Sequence, residues 1–246
     1  MDNYSFNDVN KPRKIAIFSD SHGLFEPTLA ILEDARKAGI EEIYSLGDNI
    51  GTGPNPRQVV ELLDLYGVKS LKGNHELYAT IGVDVLKKHL DMKGGYEEAK
   101  SNSSWTRLQL TEEQLEKIAN YPEQLIIEIG GEKILLVHYS RDYNTGEPIK
   151  IPEGVGRVFQ GHKHFKNDNG SIHIVRGAGI GIDSSIANST EKKAYYIVLT
   201  EKSDGGYSIE EKLIPYDYNS TYYDIINSGL NEADKNKIQR WSGFTR

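Results

Sequence analysis

Short apolar runs alternate with amphipathic stretches of helical length through the first third of the chain. Lys14-Ile15-Ala16-Ile17-Phe18-Ser19 has the length and branched content of a buried strand. Leu29, Leu32, Ala35, Arg36 and Ala38 then predict a helix that stops at Gly39. A second strand is expected at Ile43-Tyr44-Ser45-Leu46, and Pro56 opens a helix over Val59, Val60, Leu62 and Leu63 that ends near Gly67. Val68-Lys69-Ser70-Leu71 is a third strand. Strands separated by helices at this spacing imply a parallel core.

From about Pro122 the pattern shortens. Leu125-Ile126-Ile127-Glu128-Ile129 and Ile134-Leu135-Leu136-Val137 flank Gly130-Gly131-Glu132-Lys133 as the arms of a hairpin. Further strands are expected at 156–159, 172–175 and 194–199, an amphipathic one at 208–213, and a helix over 218–226. No repeat or linker divides the chain, so residues 1–246 are expected to form one α/β domain with two packed mixed sheets covered by helices.

The polar residues gather where these strands end. Asp20-Ser21-His22-Gly23 follows the first, Gly47-Asp48-Asn49 the second, and Gly73-Asn74-His75-Glu76 the third. His138 closes the second arm of the hairpin, and Gly161-His162-Lys163-His164 follows Val158-Phe159-Gln160. Each block alone has a bland reading: a turn with a satisfied carboxylate, or a hydrogen-bonded core histidine. Together they place five of the seven histidines, with carboxylates, directly after predicted strands. Ligand-binding groups converge at such loops because the strands beneath them are stiff.

Composition narrows the chemistry. With no cysteine, there is no disulfide, thiolate nucleophile or cysteine-ligated zinc site. Thirty-six acidic against 29 basic residues give a formal charge of −7, which argues against a stable nucleic-acid complex. No apolar run reaches the roughly 18 residues of a membrane span, and Met1-Asp2-Asn3 does not resemble a secretory leader. The expected location is the cytoplasm, with no membrane partner.

The ordered blocks Asp20-Ser21-His22, Gly47-Asp48, Gly73-Asn74-His75-Glu76, His138 and Gly161-His162-Lys163-His164 resemble the calcineurin-like metallophosphoesterase superfamily over about residues 14 to 199. Within it the chain looks most like the small bacterial YfcE-type phosphodiesterases and phosphatases, with the stretch Leu46 to Pro56 contributing. The resemblance implies a four-layer αββα sandwich with a dinuclear metal site at strand ends. Asp20, His22, Asp48 and His164 would hold one divalent cation; Asp48, Asn74, His138 and His162 would hold the other, with Asp48 bridging. Such oxygen and nitrogen donors suit Mn, Fe, Zn, Ni or Co. The implied reaction is hydrolysis of phosphodiesters or phosphomonoesters by a metal-activated bridging hydroxide, without a protein nucleophile. The expected substrate is a small phosphate ester, with nucleotides and phosphopeptides among the candidates. Alternatives are a phosphoprotein phosphatase, a dinucleoside polyphosphate hydrolase, or an inactive phosphate-binding module.

The catalytic residues expected beside the metals are His75, Glu76 and Asp48. His75 as imidazolium would stabilise the phosphoryl group or protonate the leaving alkoxide, and Glu76 would fix its tautomer or cap a helix. Where the subgroup carries an Asn-Pro-Gly-Ser turn, this chain has Arg176-Gly177-Ala178-Gly179-Ile180-Gly181, and it has Leu24 where Asn is common. Arg176 is expected to bind phosphate or a nearby carboxylate. Tyr78, Tyr96 and Tyr139 are candidates to stack on a leaving group. Lys88 to Arg107, with polar turns at Gly94-Gly95 and Ser101-Asn102-Ser103-Ser104, is a candidate substrate rim.

Overall fold

Lys14–Phe18 (β1), Glu42–Ser45 (β2) and Lys69–Ser70 (β3) run parallel, with Phe25–Lys37 (α1) and Pro56–Leu65 (α2) as the connections between them. The computed structural model describes residues 11–86, 95–142, 145–164, 172–179 and 192–244. Asn74–Ile81 (α3), Tyr96–Gln109 (α4) and Glu112–Ala119 (α5) precede a second sheet of Gln124–Ile129 (β4), Glu132–Val137 (β5), Val155–Gln160 (β6) and Ile172–Ile174 (β7). Lys193–Glu201 (β8) and Tyr207–Pro215 (β9) then return to the first sheet. Tyr218–Asn227 (α6) and Glu232–Trp241 (α7) complete the seven helices among the described residues.

Two mixed sheets result, in the orders β3-β2-β1-β8-β9 and β4-β5-β6-β7. The parallel core expected from the first third is closed by antiparallel β8 and β9, which the linear spacing of the early strands does not reveal. Both faces of β1 and β8 are buried, which is why their sequences read as unbroken apolar runs. Ile15, Ile17, Tyr195, Ile197 and Leu199 meet Ile127, Ile129, Ile134, Leu136 and Phe159 between the sheets. Ala16, Phe18, Tyr196 and Val198 face the other way, onto Ile31, Leu32 and Ala35 of α1 and Val59, Leu62 and Leu63 of α2. Leu135, Val137 and Val158 on the far side of the second sheet pack with Ile149, Val155 and Ile172.

Two local expectations change. Ser101-Asn102-Ser103-Ser104 lies inside α4: the flanking residues 96–100 and 105–109 favour helix, while Asn102, Ser103 and Thr106 turn inward. The hairpin turns on Gly130 and Gly131 alone, at φ 58° and 78°, so Glu132 and Lys133 already belong to β5. Gly94 and residues 180–181 lie outside the described residues.

Strand register sets where the polar loops emerge. Phe18 pairs with Ser45 and Ser45 with Ser70, so the segments beginning at Ser19, Leu46 and Leu71 leave the sheet side by side. Val137 pairs with Gln160, which brings His138 beside Gly161-His162.

Candidate metal centre

The loops after β1 and β2 are laced together by backbone. The amides of Asp20, His22 and Gly23 donate to the carbonyls of Gly47, Asp48 and Asn49 at 3.0, 2.8 and 2.8 Å. To face inward from so tight a weave, the residues adopt an unusual conformation. Asp20, His22, Asp48, His162 and His164 all have φ between 47° and 68°. Left-handed backbone costs a non-glycine residue about 1–2 kcal/mol. Five such residues in one cluster mark it as a place where stability is spent on geometry.

The glycines of the motifs make room for this. A Cβ on Gly73 would lie 2.2 Å from Asp48 Oδ1, and one on Gly161 would lie 2.0 Å from Ser19 Oγ and 2.8 Å from Asp20 Oδ2. Asp20, His22, Asp48 and His138 are almost wholly buried, whereas His162 and His164 keep partial exposure at the mouth.

Two groups of donors share one carboxylate. His164 Nε2 lies 2.9 Å from Asp20 Oδ1, and His22 Nε2 lies 3.6 Å from that oxygen and 3.1 Å from His164 Nε2. On the other side His138 Nε2 is 3.1 Å from Asp48 Oδ2, and His162 Nδ1 is 3.0 Å from Asn74 Oδ1. Asp48 Oδ2 also lies 4.0 Å from His22 Nε2, so one oxygen faces both groups. Donors about 2.0–2.2 Å from a common cation sit about 3–3.5 Å apart, which these separations resemble. In the other direction, Asp48 Oδ1 accepts the amide of His75 at 2.8 Å.

The electrostatics of the centre favour a cation. Against burial, His164 and His138 hold Asp20 well below the usual carboxylate range, and His138 and His75 do the same for Asp48. His138 donates from Nδ1 to the carbonyl of Leu46 at 2.9 Å, which aims Nε2 at Asp48 Oδ2, 3.1 Å away. Against burial, the Asp48 and Asp20 carboxylates pull this imidazole up to about 9. The position demands positive charge, which a proton or a metal ion can supply, and metal binding releases the proton.

His75 and Glu76 sit in the first turn of α3. The His75 ring packs 4.8 Å from that of His22 and 5.4 Å from Tyr78. Burial pushes it down to about 3 against the pull of Asp48, with His22 and Lys237 adding to the effect. The Glu76 carboxylate accepts the amides of Gly73, Asp48 and Asn49 at 2.8, 2.9 and 2.8 Å. Its oxygens are engaged by backbone at the helix start rather than by the His75 ring. Burial and Asp48 push Glu76 up to about 7, while the amides of Asn49 and Gly73 oppose the rise.

The remaining candidates separate. Tyr139 lies 4.5 Å from the His162 ring, whereas Tyr96 bonds Asp84. Arg176 pairs with Glu211 at 3.4 Å and covers the Tyr195 ring, a carboxylate contact on the first sheet. Leu24 is buried among Ile225, Leu230 and Ile238, so the apolar residue there anchors the C-terminal helices. Those helices supply a part of the site that the sequence does not advertise. Trp241 on α7 lies 5.8 Å from the His164 ring and 6.4 Å from that of His22. A cavity of about 210 Å³ beside His75 is lined by Thr52, Asn74, Tyr78, Asn102 and Lys237. Asn231 before Glu-Ala-Asp is a legible helix cap, but nothing local says where the helix docks.

The profile of the calcineurin-like phosphoesterase superfamily domain matches residues 14–180. An uncharacterised protein of Methanocaldococcus jannaschii is 29% identical over 251 residues, covering 93% of this chain and 95% of that protein. A metallophosphoesterase from Sphaerobacter thermophilus superposes with a TM-score of 0.64 at 23% identity, covering 92% of this chain and 98% of that one. A hypothetical protein of Pyrococcus horikoshii reaches 0.71 at 19% identity, covering 94% and 98%.

Proposed function

Because the chain belongs to the calcineurin-like phosphoesterase superfamily, we propose that it hydrolyses phosphodiester or phosphomonoester bonds with two divalent cations. The observation that carries this reading is Asp48 Oδ2, which faces His138 at 3.1 Å and His22 at 4.0 Å and so lies between two donor groups. Asp20, His22, Asp48 and His164 would hold one ion, and Asp48, Asn74, His138 and His162 the other. The mixed oxygen and nitrogen donors suit Mn, Fe, Zn, Ni or Co. When bound, such ions supply Lewis acidity to phosphate oxygens and lower the pKa of water.

The chain's own groups do the rest. Asp20 and Asp48, both held ionised, balance the charge of the cations. His75 would donate a hydrogen bond to a phosphoryl or leaving-group oxygen, a contact that strengthens as charge develops there. Glu76 is a positioning residue: by holding the amides of Asp48, Asn49 and Gly73 it ties the β2 loop to the start of α3. No helix among the described residues is long and apolar enough to cross a membrane.

The test is a hydrolysis screen of activated phosphodiesters, phosphomonoesters, dinucleoside polyphosphates and phosphopeptides, with Mn, Fe, Co, Ni, Zn and Mg added singly. Turnover of an activated phosphodiester exceeding that of the matched monoester is expected with at least one transition metal. Protein that binds two ions yet hydrolyses none of these substrates would overturn the proposal.

A further inference from the structure

The family profile ends at residue 180, yet a tryptophan from the last helix stands at the mouth of the metal centre. Helix α7 is not loosely attached. Ile238 and Leu230 are buried with Ile225 and Leu24. Asn231 accepts the amide of Asp234 at 2.8 Å, and Asn102 of α4 donates to the Asp234 carboxylate at 3.2 Å. The same Asn102 accepts the amide of Thr52 at 2.7 Å, so α7, α4 and the loop after β2 share one polar tie. Trp241 is thereby held in place, and yet its residue is 37% exposed.

The two faces of the indole are not equivalent. Lys237, one turn earlier on α7, places Nζ 4.3 Å from the ring centroid and pairs with Glu98 of α4. The His164 ring stands nearly perpendicular to the indole, at an interplanar angle of 81°. A rigid, partly exposed aromatic surface close to phosphate-binding groups is the feature that recognises planar rings, since base stacking on an aromatic side chain needs a π face and little else. Trp241 lies beside the residues that would hold one of the ions, with its ring 6.4 and 5.8 Å from those of His22 and His164.

We propose that Trp241 is a specificity-determining stacking surface for a planar ring carried by the substrate, which makes nucleotide-type phosphoesters the preferred class. The inference rests on the phosphoesterase reading and adds a recognition element to it. It also explains why the C-terminal helices reach the site, because the shared core binds the phosphate while α7 reads what the phosphate is attached to.

The test compares two inert probes on full-length protein loaded with two Mn ions. They are phosphonate analogues of AMP and of ribose 5-phosphate, in which a methylene replaces the bridging oxygen so that no hydrolysis occurs. They differ only in the base. Calorimetry is expected to show the AMP analogue bound at least tenfold more tightly than its base-free counterpart. In Trp241→Leu the two affinities should converge to within about twofold, with the ribose analogue and the metal content unchanged, while Trp241→Phe retains most of the difference. Trp105→Phe leaves Trp241 as the sole tryptophan of the two in the chain, and its fluorescence should respond to the AMP analogue and not to inorganic phosphate. Equal affinities in the wild type would overturn the inference. So would a parallel loss of metal and of both probes in Trp241→Leu, which would make Trp241 a brace for His164. If neither probe nor inorganic phosphate binds the two-Mn protein, the phosphoesterase reading itself fails.

Discussion

Gly51 offers a way to move His75 without touching any proposed metal ligand. Its backbone lies at φ 79°, and a Cβ built there would fall 2.1 Å from His75 Nδ1, 2.7 Å from Cγ and 3.0 Å from Cβ. The last of these belongs to the root of the side chain, so Gly51→Ala cannot be relieved by rotating the ring alone. The imidazole must leave its place. Alanine in left-handed backbone costs about 1–2 kcal/mol, and about 2–4 °C of Tm is lost per kcal/mol in a chain of this size. A fall of about 2–8 °C is expected from the backbone alone. The loss of a well-placed hydrogen-bond donor to developing charge costs about 100- to 1000-fold in kcat. Gly51→Ala should therefore lower turnover of an activated phosphodiester about 100-fold, as should His75→Ala, with two ions retained in both. The double variant is the decisive arm. If the added methyl acts only by displacing His75, Gly51→Ala in the His75→Ala background costs little further rate and only the backbone share of Tm. Wild-type turnover in Gly51→Ala, or a second 100-fold loss in the double variant, would refute the reasoning.

Three other outcomes follow from the same geometry. In Asp48→Asn the amide oxygen can keep the bond from the His75 amide, but an NH₂ then occupies the place of Oδ2 facing His138; metal analysis should show the content falling from two ions to one or none per chain. Chelation should lower Tm by about 11–22 °C when both ions are supplied at 100 times Kd, since linkage is worth about 2.7 kcal/mol per site at that ratio, and in Asp48→Asn the shift should fall to the share of one ion or vanish with the metal content. Burial raises Glu26 above the ordinary glutamate value, with Asp224 and Asp217 adding to it, while Thr221 donates to it at 2.9 Å. A carboxyl group raised in the folded state destabilises it once both states are ionised, and this penalty is absent below the unfolded value of about 4.3. Glu26→Gln should accordingly raise Tm at pH 7, with the gain shrinking to nothing as pH falls below about 4.3 in thermal melts. A loss of Tm at pH 7 would show that the charge is better solvated than its burial implies.

The strands are legible because burial on both faces writes a continuous apolar run, as in Ile15 to Phe18 and Ala194 to Leu199. The blocks at their ends are legible because chemistry restricts the residue types: only carboxylates, imidazoles and amides serve as such donors, and only glycine fits where a Cβ would strike Asp48 or Ser19. Residues 101–104 of α4 mislead because a serine-rich stretch has turn propensity locally and is overruled by what Asn102 and Ser103 pack against. The register that sets His138 beside His162, and the closure of the first sheet by β8 and β9, arise from pairings between distant segments. The position of His75 is readable from its motif but its charge state is not, since proton affinity depends on how much water the folded chain excludes from the ring.

What the amino-acid sequence by itself determined is therefore the inventory and its order: which residues have metal-binding chemistry, and that each follows a strand. The tertiary structure decided how they meet. It turned five of them into left-handed backbone, pointed one Asp48 oxygen at two donor groups, tied Glu76 to backbone amides, and brought Trp241 from the far end of the chain to the mouth of the site. The division has a physical reason, because donor chemistry is a property of the single side chain, while distance, burial and proton affinity are properties of neighbours that only folding assembles.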